Sequence, residues 1–247
     1  MGLTNKMENT IIQGDSLEVL KTLPDESTDC CITSPPYNKT GFRGHRDNSV
    51  GKGRWSGADI AYGDFKDDMD EQEYQAWQVD ILNELYRIIK PNGSIFYNHK
   101  VRRNEGKASH PMEWILKSKL NFYQQIIWNR GSGPDHNVNY LDPTTELIFW
   151  LTKGTPKVFK TQNRYATEIW SITPDFNNQH PAPFPIVLPE IAILLTTEKD
   201  DLVLDPFNGS GTTCIAAQKL GRKYIGIELN PDYIKIAENR LKQEVLF

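Results

Sequence analysis

The sequence predicts an α/β fold built on a parallel-rich sheet, and three observations predict it. Short apolar runs alternate with amphipathic stretches along the 247 residues, and no internal repeat interrupts that alternation. A strand-like run at 202–204 also passes through a Gly-Ser-Gly turn into a helical pattern, as strand-turn-helix units of parallel sheets do. A chain of this length can bury its own core, so a single domain over 1–247 is expected.

Strands are expected at 10–13, 29–33, 93–97, 122–128, 145–151, 202–204 and 223–227, each short and rich in Ile, Val or aromatic residues. The stretch 71–89 carries Trp77, Ile81, Leu85 and Ile88 at spacings of three and four, which puts them on one helical face, with Pro91-Asn92-Gly93 as the stop. Residues 188–196 and 231–243 read the same way, the second with Asn230 as cap and Pro231 in the first turn. Two stretches fit neither pattern: 39–62, rich in Gly, Arg and Lys, and 154–179, rich in Thr, Asn and Pro. Long irregular segments in compact domains are often functional.

The composition, 38% hydrophobic and 24% charged, is that of an ordinary soluble protein, and no run of about 18 apolar residues marks a membrane span. Residues 1–9 are polar and lack the apolar stretch of a signal peptide, so a cytoplasmic location is expected. Cys30, Cys31 and Cys214 offer neither an even disulfide framework nor a C-x-x-C spacing, so buried, reduced thiols are expected and no metal site. A net charge of −4 does not announce a nucleic-acid binder, but net charge averages away local patches. Lys39, Arg43, His45, Arg46, Lys52 and Arg54 cluster with only Asp47 opposing them before Asp59, a loop that suits a DNA backbone and reads equally well as solvated surface. Lys100, Arg102, Arg103 and Lys107 form a second, weaker patch.

Two segments carry chemistry. Residues 202–213 read LVLDPFNGSGTT: an apolar strand, Asp205 at its tip, then Phe207, Asn208, Gly209, Ser210 and Gly211 before a helix opened by Thr212 and Thr213. Glycines at 209 and 211 let backbone approach a ligand at the C-terminal edge of the sheet, and Glu228, ending the run YIGI and followed by Asn230, stands where such folds hold a ribose diol. The third glycine of a dinucleotide fingerprint is missing, which disfavours an NAD-dependent dehydrogenase; Asp205 suits a ligand with a cationic end, such as a sulfonium amino acid nucleoside. Residues 30–38 read CCITSPPYN, a buried strand broken by Pro35 and Pro36, which stiffen the chain where it leaves the sheet. An amino group conjugated to a base ring is a poor nucleophile, so a site that alkylates it must accept its protons; Ser34 Oγ and the Pro35 carbonyl are suitable acceptors, and Tyr37 can stack on an extruded base.

DPFNGSGTT followed by YIGIELN resembles the cofactor motif of the amino-type DNA methyltransferases, and TSPPYN resembles the S-P-P-Y form of their catalytic motif. The resemblance implies S-adenosyl-L-methionine as cofactor, a pocket bounded by Phe207 and the glycines, and Ser34, Pro35, Pro36 and Tyr37 gripping the target amine. The serine form is associated mainly with cytosine N4, and an aspartate or asparagine there with adenine N6, so N4 leads and N6 is the alternative. The catalytic motif precedes the cofactor motif, the order of the β group of this family. That order implies a circularly permuted Rossmann-like fold with a mostly parallel seven-stranded sheet flanked by helices, the N-terminus supplying the third and fourth strands. In that mapping Asp15 accepts a hydrogen bond from the cofactor's adenine amine, and His180 and Phe184, in HPAPFP, close the methionine side of the pocket. Residues 39–62 are then a DNA-contacting loop and 154–179 a small target-recognition insertion. DNA is the implied partner, with a homodimer and a restriction endonuclease as further candidates. Cytosine ring-carbon methylation is disfavoured, since it needs a Pro-Cys nucleophile and none occurs. Methylation of RNA or of protein glutamine, and a cofactor- and DNA-binding subunit without catalysis, stay open as alternatives.

Overall fold

Alternation of side chains along β2 (Thr28–Thr33) decides how the molecule is layered, because successive residues face opposite sides of a sheet. Cys31 points to a core with Leu204, Ile225 and Ile95, while Cys30 and Ile32 point to another with Val203, Phe96 and Tyr224. A strand buried on both faces needs helices on both sides. The computed structural model, which describes residues 7–38, 69–104, 106–131, 141–159, 167–174 and 185–244, provides them. On the Cys31 side lie α1 (Ser16–Thr22), α2 (Glu71–Ile88) and α3 (Met112–Ile115). On the other lie α4 (Val187–Thr196), α5 (Thr212–Lys219) and α6 (Pro231–Glu244).

The remaining strands are β1 (Thr10–Gln13), β3 (Ile89–His99), β6 (Asn121–Asn129), β7 (Thr145–Thr152), β8 (Ile169–Ser171), β9 (Leu202–Asp205) and β10 (Lys223–Glu228), besides a separate hairpin of β4 (Arg102–Asn104) and β5 (Lys107–Ser109). The main sheet runs β1-β10-β9-β2-β3-β7-β6-β8. Pairing is parallel from β1 through to β3 and between β6 and β8, and antiparallel where β7 inserts between β3 and β6. The glycine strand β9 thus sits between the Glu228 strand and β2, which leads into TSPPYN, with the Asp15 strand outermost, which is the permuted order expected. The nucleotide-binding rule places ligands at the carboxyl ends of such strands, where the strand order reverses. Here that point is the β9–β2 boundary, and Asp15, Glu228, Asp205, Ser34 and Asn98 all stand at or just past the ends of neighbouring parallel strands.

Several expectations are corrected. Among the described residues the sheet has eight strands, not seven, because β8 adds to the edge beside β6 from within 154–179; three residues are too few to show a period. Helices α1 and α3 and the β4–β5 hairpin were not foreseen, each being short. Pro91-Asn92-Gly93 does not stop α2, which ends at Ile88; these residues take up the register shift between the pairs Thr28–Ile89 and Cys30–Ser94 at the head of β3. Arg102 is no part of a basic surface patch: its side chain is 2% exposed, ion-paired to Glu71 at 2.7 Å and stacked over Tyr74. The cysteines are free and buried as expected, and burial pushes the Cys30 thiol up to about 12. Among the described residues no helix is long and apolar enough to cross a membrane.

Candidate active site

Four residues of strand β9 end in Asp205, and the carboxylate is only 6% exposed. It accepts hydrogen bonds from Thr33 Oγ1 at 3.0 Å and the Phe207 amide at 3.1 Å. The first of these ties the tip of β9 to the residue before Ser34, so the two motifs share a fixed joint. Burial pushes the Asp205 carboxyl up to about 6, with Thr213, Phe207 and Thr33 pulling the other way. Glu228, on the neighbouring strand end, accepts from the Gly209 amide at 2.7 Å and the Asn230 amide at 2.8 Å, and burial pushes it up as well. Among the described residues no cation pairs with either acid. Two desolvated carboxylates with no countercharge among the described residues fit a ligand that brings a positive charge and hydroxyls.

The loop between β9 and α5 is held mostly from inside. Asn208, Ser210, Thr212 and Thr213 are each at most 6% exposed and serve the loop's own geometry. Asn208 Oδ1 accepts from Cys214 Sγ at 3.0 Å, and Arg240 on α6 donates to the Ser210 carbonyl at 2.6 Å and to Thr212 Oγ1 at 3.3 Å. Gly211 has φ 84°, and a Cβ there would stand 2.7 Å from that of Ala237, so its first use is close helix packing. Phe207, partly exposed, lies against Trp77 with ring centres 5.7 Å apart. Asp15 caps α1 by accepting from the Glu18 amide at 3.1 Å, and Ser16 Oγ donates to the Pro206 carbonyl at 2.5 Å, joining that corner to the loop. Asn230 caps α6 through the Asp232 amide at 2.9 Å.

The turn after β2 is pinned from below. Tyr74 OH on α2 donates to the Pro36 carbonyl at 2.7 Å; the same hydroxyl meets His99 Nε2 at 2.8 Å and accepts from Gln78, all three side chains being at most 1% exposed. Asn38, at φ 54°, donates to the Met69 carbonyl and ends the turn. Ser34 Oγ is 2.9 Å from Tyr37 OH, and Tyr37 is 8% exposed with its ring centre 4.5 Å from that of His99. Around those hydroxyls stand three residues the motifs do not reveal. Asn98 Nδ2 donates to Tyr37 OH at 2.8 Å and to Glu146 Oε2 at 3.1 Å; Tyr37 OH donates to the same Oε2 at 3.3 Å; Arg130 pairs with Glu146 Oε1 at 2.7 Å. The one signal in the sequence was an acid opening the otherwise apolar run of β7. Of the other expected site residues, Lys39, Arg43, Arg46, Lys52 and Arg54 in 39–62, the parts of 154–179 at 160–166 and 175–179, and His180 and Phe184 lie outside the described residues.

Comparison with known proteins decides the family. The family model for DNA methylases of the N6 and N4 type matches residues 28–239, most of the chain. The chain belongs to this DNA methylase family. It is similar to the Type II methyltransferase M.HinfI of Haemophilus influenzae, 31% identical over 97% of this chain and 70% of that protein. It is also similar to M.BglII of Bacillus subtilis, 28% identical over 96% of this chain and 69% of that protein. Among solved structures, the putative DNA modification methylase TTHA0409 of Thermus thermophilus, complexed with S-adenosyl-L-methionine, superposes with a TM-score of 0.69 at 26% identity, covering 95% and 93% of the two chains. The PvuII DNA methyltransferase, titled cytosine-N4-specific, shares the fold with a TM-score of 0.73 at 23% identity, covering 94% and 85%. The methylase therefore uses S-adenosyl-L-methionine as methyl donor on the Rossmann-like fold described above.

Proposed function

We propose that the methylase modifies the exocyclic N4 of cytosine in DNA. The observation that carries the reading is the serine at 34: its hydroxyl, held by Tyr37 OH at 2.9 Å, stands one residue beyond the joint that binds Thr33 to Asp205. Bound beside Asp205, the cofactor supplies a methyl group on a positively charged sulfur. The chain's own residues do the rest. Asp205 and Glu228 hold the cofactor's cationic and ribose ends, and Asp15 receives its adenine amine. Ser34 Oγ and the Pro35 carbonyl accept the two protons of the target amine, which turns the nitrogen lone pair out of conjugation and towards the methyl. Tyr74 keeps the proline turn from shifting by binding the Pro36 carbonyl. Tyr37 holds the base once it has left the duplex.

Lys39, Arg43, Arg46, Lys52 and Arg54 are assigned to clamp the DNA backbone around that base, and 154–179 contributes to choosing the site. A cytoplasmic restriction endonuclease partner, and a second copy of the chain to widen the DNA-reading surface, belong to the same reading. Adenine N6 is the second reading, since the acceptor geometry serves either amine; the serine favours N4 through the family resemblance.

The test is incubation with tritiated S-adenosyl-L-methionine and mixed unmethylated genomic DNA, then nucleoside digestion and mass spectrometry. Label on N4-methylcytosine is the expected result. Label on N6-methyladenine keeps the chemistry and overturns the base assignment, and label on RNA or protein alone overturns the substrate.

A further inference from the structure

Glu146 is a buried carboxylate that methyl transfer as outlined above does not use. It is 9% exposed, on β7, and belongs to neither motif, yet its Oε2 receives both Tyr37 OH and Asn98 Nδ2 within 3.3 Å while Arg130 holds its Oε1. An ionised carboxylate only accepts hydrogen bonds, and a tyrosine hydroxyl has a single proton. If Tyr37 gives that proton to Glu146, it cannot also donate to Ser34, so in the 2.9 Å contact Ser34 must be the donor. Asn98 Nδ2 donates to Tyr37 OH as well and occupies one of its two lone pairs, leaving the other for Ser34. Ser34 Oγ receives Asn98 Nδ2 at 3.4 Å on one lone pair and keeps the other for the incoming amine.

We propose that Glu146 sets the direction of this hydrogen-bond chain and takes up, through Tyr37 and Ser34, the proton that the methylated amine must lose. The inference rests on the reading of Ser34 as an acceptor for the target amine. The step balances. The amine nitrogen forms a bond to the methyl carbon, the cofactor sulfur keeps the electron pair of the bond it loses, and the nitrogen becomes cationic. Its surplus proton passes to Ser34 Oγ as the Ser34 proton passes to Tyr37 and the Tyr37 proton to Glu146 Oε2. The methylated amine is left neutral, both hydroxyls are restored and Glu146 is protonated until solvent takes the proton. Glu146 acts through Tyr37 and is a positioning residue in this scheme, distinct from the groups that touch the base.

Glu146→Gln tests the direction directly. Arg130 requires an oxygen at the Oε1 position, so the amide nitrogen takes the place of Oε2 and donates to Tyr37. Tyr37 must then donate to Ser34, whose own proton turns towards the amine. Single-turnover methyl transfer to the DNA that the wild type labels is expected to fall about a hundredfold, the lower range for loss of a proton-accepting group. Affinity for S-adenosylhomocysteine and for the same DNA, read by calorimetry and gel shift, should stay within about twofold because neither contact changes. Tyr37→Phe removes the relay and keeps the ring; it should lower the rate similarly, and adding Glu146→Gln to it should cost little more, as for two residues acting as one unit. A wild-type rate in either variant overturns the proposal, as do strictly additive losses or a defect confined to affinity. A wild type that labels no exocyclic amine in any DNA sinks the functional reading itself.

Discussion

Asp205 is asked to hold a negative charge in a place that resists it. Burial holds its carboxyl at about 6, above the usual 3.8, so near neutral pH the group is still ionised, but at a cost that an exposed aspartate does not carry. Relative to an ordinary aspartate, ionising it there carries a penalty of about 3 kcal/mol. Because the folded value is the higher one, this penalty is absent below the unfolded value and grows as pH rises from about 4 to about 6, so ionisation of this group lowers stability over that window. A cation beside it reverses the balance. S-adenosyl-L-methionine should therefore bind with proton release at pH 5.5 and without it at pH 7.5, its affinity declining as pH falls through about 6. Calorimetry in buffers of different ionisation enthalpy measures the proton count directly, and Asp205→Asn should bind more weakly with no such dependence. A pH-independent affinity in the wild type would take Asp205 out of the cofactor site.

The glycine loop shows how an element can be legible in outline and opaque in detail. LVLDPFNGSGTT could be recognised because strand, turn and helix follow one another locally, and the structure keeps that order in β9 and α5. What the sequence alone could not supply is the reason for each residue. Asn208, Ser210, Thr212 and Thr213 read as ligand contacts, yet their side chains point inward, and the arginine that clamps the loop comes from α6, some thirty residues away. Gly226, in the middle of β10, belongs to the run YIGIELN, but the sequence gives no reason for a glycine there. A Cβ there would lie 2.6 Å from Asn208 Cγ and 3.0 Å from Cys214 Sγ, so the glycine is the space into which Asn208 fits. Gly226→Ala should cost about 1–3 kcal/mol by overpacking, a fall in Tm of roughly 2–12 °C for a chain of this size. It should also weaken cofactor binding by tilting the loop at Gly209, which calorimetry on the folded variant would detect. Unchanged Tm and affinity would mean the loop yields without consequence.

At the scale of the whole molecule, the permuted strand order brings together what the chain separates. Thr33 and Asp205 are 172 positions apart and hydrogen-bonded; Tyr37 and Glu146 are 109 apart and share the buried cluster beside Ser34. The motifs were readable because each is contiguous. Asn98, Arg130 and Glu146 were not, because their meeting depends on β7 running antiparallel between β3 and β6, which returns the start of β7 to the edge where the parallel strands end. The same arrangement bears on DNA. With a net charge of −4, the chain as a whole repels a polyanion, so attraction has to be local. Lys39, Arg43, Arg46, Lys52 and Arg54 follow the catalytic turn directly and hold five positive charges against Asp47 alone. If they grip phosphates, each contact should contribute about 0.9 to the slope of log affinity against log salt. Replacing Arg43, Arg46 and Arg54 together by alanine should then lower that slope by about 2.7 and weaken DNA binding across sequences alike, with affinity for S-adenosylhomocysteine untouched. Fluorescence anisotropy across a salt series measures it. A slope that does not change moves the DNA-binding face elsewhere, whereas a loss restricted to one sequence would make the segment a reader of bases rather than a clamp on the backbone.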